Sequence, residues 1–100
     1  MSENSLQNLI RIELSKQGFT VFRANVIGAY TKDGRYIPPS LPKGFSDLFA
    51  IKDGKIYFFE VKFGKNKVSP EQLNFITQMQ AKGCVAEVVY SMEEVLKCIQ

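Results

Sequence analysis

The sequence predicts an α/β domain, a mixed β-sheet with helices on both faces. Three observations carry this reading. Helical and extended periodicities alternate along the chain in the order α-β-β-β-α-β-α. Asp53-Gly54 joins two apolar, β-forming runs as a two-residue hairpin. Both faces of that hairpin are largely apolar, which places it in the middle of a sheet covered from both sides.

The elements follow in order. In "NSLQNLIRIELSKQG", Leu6, Leu9, Ile10 and Leu14 recur at helical spacing and Gly18 can close the helix. "FTVFRANV" alternates and is rich in β-formers, predicting a strand from about Phe19 to Asn25. The stretch "IGAYTKDGRYIPPSLPKGF" is long and irregular, with three prolines and another Asp-Gly pair. Such a segment is functional or contains a small hairpin. Lys32, Arg35 and Lys43 interleave here with Tyr30 and Tyr36, a mixture suited to phosphate contacts and base stacking. A solvated hairpin with ordinary surface charges reads equally well. After the central hairpin, Ser69, Pro70 and Gln72 form a capping box with proline at the first helical position, and Gly83 is the stop. "CVAEVVY" is a strand, and a second box from Ser91 to Glu94 opens a terminal helix.

Composition narrows the chemistry. One hundred residues make a single domain, 1–100, with 45% hydrophobic and 23% charged residues, an ordinary globular balance. No apolar run approaches the ~20 residues of a membrane span, and the charged, periodic N-terminus is not a secretory signal. The expected location is the cytoplasm, and a host cell's cytoplasm would read the same. Cys84 and Cys98 are the only cysteines and form no CxxC pair. A zinc site or disulfide framework is therefore not expected. The chain has no histidine, which removes histidine triads, histidine zinc sites and histidine general bases. Hydrolysis would have to rely on carboxylates, lysine, hydroxyls or a bound metal. A net charge of +3 is compatible with nucleic acid without pointing to it.

The informative stretch is "SDLFAIKDGKIYFFEVK", Ser46 to Lys62. With Asp53-Gly54 as the turn, Lys52 faces Lys55, and counting back sets Asp47 opposite Glu60. Like charges so placed destabilise a sheet. Lys62, two residues beyond Glu60, projects from the same face. Two carboxylates at the end of an apolar hairpin raise one another's pKa unless a cation lies between them. A hard divalent ion such as Mg²⁺, held by carboxylates and substrate phosphate oxygens, meets that need.

These residues resemble the PD-(D/E)XK nuclease superfamily, with Ser46-Asp47 where Pro-Asp usually stands and Glu60-Val61-Lys62 as the E-x-K. More narrowly, the chain resembles a VRR-Nuc domain, the virus-type replication and repair nuclease. "ENSLQ", "VFRANVIG", "KGFSDLFAI" and "FFEVKFGKNKVSPEQ" are similar to that family's successive motifs. Serine in place of proline at position 46 removes a rigid turn but no ligand.

The resemblance implies a restriction-endonuclease-like α-β-β-β-α-β core and a Mg²⁺- or Mn²⁺-dependent DNA endonuclease. It implies branched DNA as substrate, as for Holliday-junction resolvases of phage and archaea, and a homodimer without membrane or small-molecule partners. By motif, Asp47, Glu60 and the Val61 carbonyl would hold the metal. Glu3 would be the helix-one acid, with Glu13 as its rival, and Gln72 would line the site. Lys62 would orient or deprotonate water, or stabilise charge on the phosphate; an ammonium is a poor base, which favours stabilisation. Arg23, Asn25, Lys43, Lys65 and Lys67 are the candidate DNA contacts. The rival readings are flap processing or another nuclease task on this fold, and a non-catalytic DNA-binding module.

Overall fold

The computed structural model describes residues 1–24, 28–38 and 40–100. Helix α1 (Glu3–Lys16) begins at Ser2, whose hydroxyl accepts from the Ser5 N–H, and buries Leu6, Ile10 and Leu14 along one stripe. It ends at Gln17, and Gly18 follows at φ +90°, a conformation that favours glycine. Strand β1 (Thr20–Arg23) comes next, then a small hairpin of β2 (Ala29–Tyr30) and β3 (Tyr36–Ile37). The central hairpin is β4 (Leu48–Lys52) and β5 (Lys55–Val61). Helix α2 (Pro70–Ala81), strand β6 (Val85–Val89) and helix α3 (Met92–Cys98) complete the chain. No helix among the described residues is long and apolar enough to cross a membrane.

The main sheet has the order β1-β4-β5-β6. Strand β4 runs antiparallel to β1 and β5, whereas β6 is parallel to β5, reached through the α2 crossover. The sheet is therefore mixed, with the Asp53-Gly54 hairpin at its centre, as its two apolar faces require. One face presents Leu48, Ala50, Tyr57, Phe59 and Val61 to Leu6, Ile10 and Leu14 of α1 and Val95 of α3. The opposite face sets Phe58 and Ala86 against Ile76 of α2, bordered by Phe45, Phe49 and Phe75. Burying each such aliphatic or aromatic side chain contributes roughly 1.5–3 kcal/mol, so both helical layers are anchored through β5.

Two expectations need refinement, and a third is met in one of its two forms. The first strand starts at Thr20 and ends at Arg23, and Asn25 lies outside the described residues. The irregular segment contains the β2–β3 hairpin. At α3, Ser91 caps the Glu94 N–H, but the Glu94 carboxylate returns to the Tyr90 N–H instead of closing a box on Ser91.

The approach to β4 depends on a close contact. Gly44 has φ +91°, and a Cβ there would lie 2.5 Å from the Glu71 carbonyl oxygen in the first turn of α2. Gly44→Ala is expected to destabilise by about 1–3 kcal/mol from backbone strain, with the clash adding to it. Urea denaturation checks this; a loss below ~0.5 kcal/mol, ordinary for a surface change, would contradict it.

Candidate active site

The predicted register is the observed one: Lys52 pairs with Lys55 and Leu48 with Phe59. Asp47, immediately ahead of β4, is fixed from both sides. Its carbonyl accepts from the Ala24 N–H at 2.8 Å, and its Oδ2 accepts from the Val61 N–H at 2.8 Å. The side chain is thereby aimed at the end of β5. Glu60, the penultimate residue of β5, is 1% exposed. Its Oε1 accepts from Gln72 Nε2 at 2.7 Å and lies 3.7 Å from Lys62 Nζ. Its Oε2 is buried and has no hydrogen-bond partner.

A buried carboxylate oxygen without a partner costs at least the ~1–3 kcal/mol of a neutral orphan, and more because it is charged. The carboxylates respond as electrostatics requires. Burial, and then the Asp47 charge, push Glu60 up to about 8 against the pull of Lys62. Burial also raises Asp47, outweighing the Val61 N–H that favours its ionised form. The donor set fits a hard divalent cation: two neighbouring carboxylates, with one buried oxygen uncommitted. Among the described residues no group of three acidic, cysteine or histidine side chains converges closely enough to hold a metal. Any ion here would draw its remaining ligands from backbone carbonyls, water or substrate oxygens, the usual habit of Mg²⁺.

Gln72 has two tasks at once. Its Oε1 accepts from the Ser69 N–H at 2.8 Å, completing the capping box, while its Nε2 holds Glu60. The N-terminus of α2 is thus pinned to the carboxylate. Glu3 is half-buried at the start of α1, accepts from Asn66 Nδ2, and adds a charge that opposes ionisation of Asp47. Glu13, its rival, lies about 15 Å along the helix axis and accepts from Gln17 Nε2 at 2.8 Å. Of the two acids, it is Glu3 whose charge reaches Asp47.

Sequence reasoning missed two supports. Asn66 links the loop after β5 to Glu3, and its carbonyl accepts from the Tyr90 hydroxyl at 2.9 Å. Its position inside "GKNK" was the available signal, masked by the lysines around it. Ser46 is fully buried and its hydroxyl donates to the Leu48 carbonyl at 3.2 Å, a local tie where a proline would impose a rigid turn.

The candidate DNA contacts differ in setting. Lys65 and Lys67 are exposed on the loop after β5 and make no ion pair among the described residues. Lys43 lies 3.4 Å from Glu71. Arg23 donates to Asn4 Oδ1 at 2.8 Å, joining the end of β1 to the first turn of α1. Asn25 falls outside the described residues.

Comparison with known proteins bears on family and fold. The profile of the VRR-NUC domain family matches residues 1–93. A solved VRR-NUC domain is similar at 26% identity and a TM-score of 0.68, covering 97% of this chain and 92% of that one. Archaeoglobus fulgidus Hjc, a Holliday junction resolvase from an archaeal hyperthermophile, is similar at 22% identity and a TM-score of 0.59. That likeness covers 88% of this chain and 67% of the resolvase, and it is one of fold. No curated protein sequence matches the chain.

Proposed function

Because the chain belongs to the VRR-NUC family of nuclease domains, we propose that it is a metal-dependent endonuclease acting on branched DNA. The observation that carries this reading is the unpartnered, buried Glu60 Oε2 beside Asp47. Asp47, Glu60 and the Val61 carbonyl would hold Mg²⁺ or Mn²⁺, with Glu3 at the margin. A bound divalent ion would polarise the phosphoryl oxygen and lower the pKa of an attacking water.

The chain's own residues supply the rest. The Val61 N–H and the Ala24 N–H keep Asp47 aimed at the β5 end, and Gln72 keeps Glu60 from turning away. Lys62, on the Glu60 side of the sheet, stabilises the charge that grows on the phosphate as water adds and the bridging P–O bond breaks. Lys65 and Lys67, just past the site, bind flanking phosphates, and Arg23 and Lys43 border the same end. Paired cutting of a branch needs two sites, hence a homodimer. In support, Phe22, Ile51 and Ile56 share a sheet face that stays 38–44% exposed beyond the edge of α2. This chemistry suits replication, recombination and repair in a bacterial or phage-infected cell.

The test uses an end-labelled four-way junction and a matched linear duplex, each with Mg²⁺, Mn²⁺ or EDTA, and sedimentation of the same protein. Metal-dependent cleavage of the junction by a dimer is expected. Equal cutting of both DNAs would remove the branch preference, and a monomer that still makes paired cuts would remove the dimer. Binding without cleavage under either metal would make the chain a DNA-binding module.

A further inference from the structure

We propose that the β2–β3 hairpin is a base-stacking element, in which Tyr30 and Tyr36 engage nucleobases that have left the duplex stack. The inference rests on the nuclease reading above and names the feature of branched DNA that this protein recognises.

The hairpin forms a two-stranded sheet of its own, on the connection between β1 and β4 that ends at Asp47. Tyr30 is 75% exposed and Tyr36 is 55% exposed, and Ile37 beside them is also open to water. The rings lie 5.3 Å apart at 61°, an edge-on pair that remains more than half open to water. Hydrogen bonds tie their support together. The Thr31 N–H donates to the Arg35 carbonyl at 2.8 Å, and the Arg35 N–H returns to the Thr31 hydroxyl oxygen at 3.0 Å. The Thr31 hydroxyl donates to Asp33, and Asp33 pairs with Arg35 at 3.4 Å. Gly34 makes the turn at φ +87°. The Tyr36 hydroxyl packs over Gly28, where any Cβ would overlap it. The turn is held by specific bonds, yet it presents aromatic rings to water.

Size and charge choose the occupant. Two tyrosines, each with at most about 150–250 Å² to bury, fall well short of the ~800 Å² per partner of a stable protein interface. A nucleobase needs only a ring face. Lys32 and Arg35 flank the rings, both exposed, and complement the phosphates that accompany any base. Bases within a paired duplex offer no free face, whereas those at a junction centre, flap or gap do. The hairpin therefore discriminates by pairing state and not by sequence.

The experiment measures fluorescence-anisotropy affinities in EDTA at low salt for a duplex with an internal unpaired bubble and for a fully paired duplex of equal length. The Tyr30→Leu/Tyr36→Leu double variant keeps apolar bulk and removes the rings; Tyr30→Phe/Tyr36→Phe keeps the rings. The leucine variant is expected to lose about 10–100-fold in affinity for the bubble and less than about 3-fold for the paired duplex, with the phenylalanine variant close to wild type. Unchanged bubble affinity in the leucine variant, equal losses on both DNAs, or failure of phenylalanine to restore binding would overturn the inference. A change in sedimentation of the leucine variant would overturn it too, by making the hairpin a contact between copies. Wild-type protein that binds neither DNA would overturn the nuclease reading together with it.

Discussion

Glu60→Gln is expected to lower the cleavage rate by at least about 10³-fold while the protein still folds and binds DNA. A divalent ion held by Asp47 and Glu60 would polarise the phosphoryl oxygen, worth several kcal/mol, and each step of about 1.36 kcal/mol is tenfold in rate. The substitution is isosteric. Its amide oxygen can still accept from Gln72 Nε2, so α2 keeps its anchor. What disappears is the negative charge that would hold the ion, together with its pairing to Lys62. Calorimetric titration with Mn²⁺ should show the metal binding lost along with the rate. Lys62→Gln separates the two parts of the site: it should slow cleavage while leaving Mn²⁺ binding in place, because the lysine serves the phosphate and not the ion. Cleavage by Glu60→Gln within about tenfold of wild type would remove Glu60 from the metal site. Slow cleavage with Mn²⁺ affinity unchanged would make its role one of positioning.

Much of this site was legible because hairpin register is arithmetic once the turn is known. Asp53 and Gly54 both take positive φ, as the two-residue turn demands, and that single fact sets Asp47 beside the end of β5. The two covered faces followed from the apolar residues on each, and the observed division between α1 with α3 and α2 obeys the same pattern. What stayed hidden depends on contacts between segments distant in sequence. Gln72 is fully accounted for by its capping box, and only the tertiary fold shows that its other end holds Glu60. The choice between Glu3 and Glu13 required knowing which end of α1 meets the loop after β5. Asn66, bonded to Glu3 and to Tyr90, sits in a loop whose local sequence points to its lysines instead. Tyr30 and Tyr36 carried a signal, but alternation and a turn cannot say whether a short hairpin folds back onto the core or stands in solvent.

Stability should fall as pH rises in the absence of metal, and the fall should be roughly halved or better when metal is present. Glu60 is held at about 8 in the folded protein, above its ordinary 4.5. Between those values the folded state keeps a proton that the unfolded chain has released. The folded state binds more protons, so the unfolding free energy decreases with pH across this window. Below the unfolded value the contribution is fully present; above about 8 it is gone. Asp47, also raised, acts in the same direction. The loss by pH 8.5 is on the order of 3–5 kcal/mol, since each unit is worth about 1.4 kcal/mol. A divalent ion competes with the proton for the same carboxylates. At a hundredfold excess over its dissociation constant it would restore about 2.7 kcal/mol. Urea midpoints at several pH values from about 5 to about 8.5, in EDTA and in Mn²⁺, read both effects. Glu60→Gln should flatten the EDTA curve and leave the variant more stable than wild type at the alkaline end, because no charge remains to be buried. A wild-type EDTA curve as flat as the variant's would show that Glu60 ionises without penalty. The unpartnered oxygen would then be reached by water, and the case for a cation between Asp47 and Glu60 would lose its physical basis.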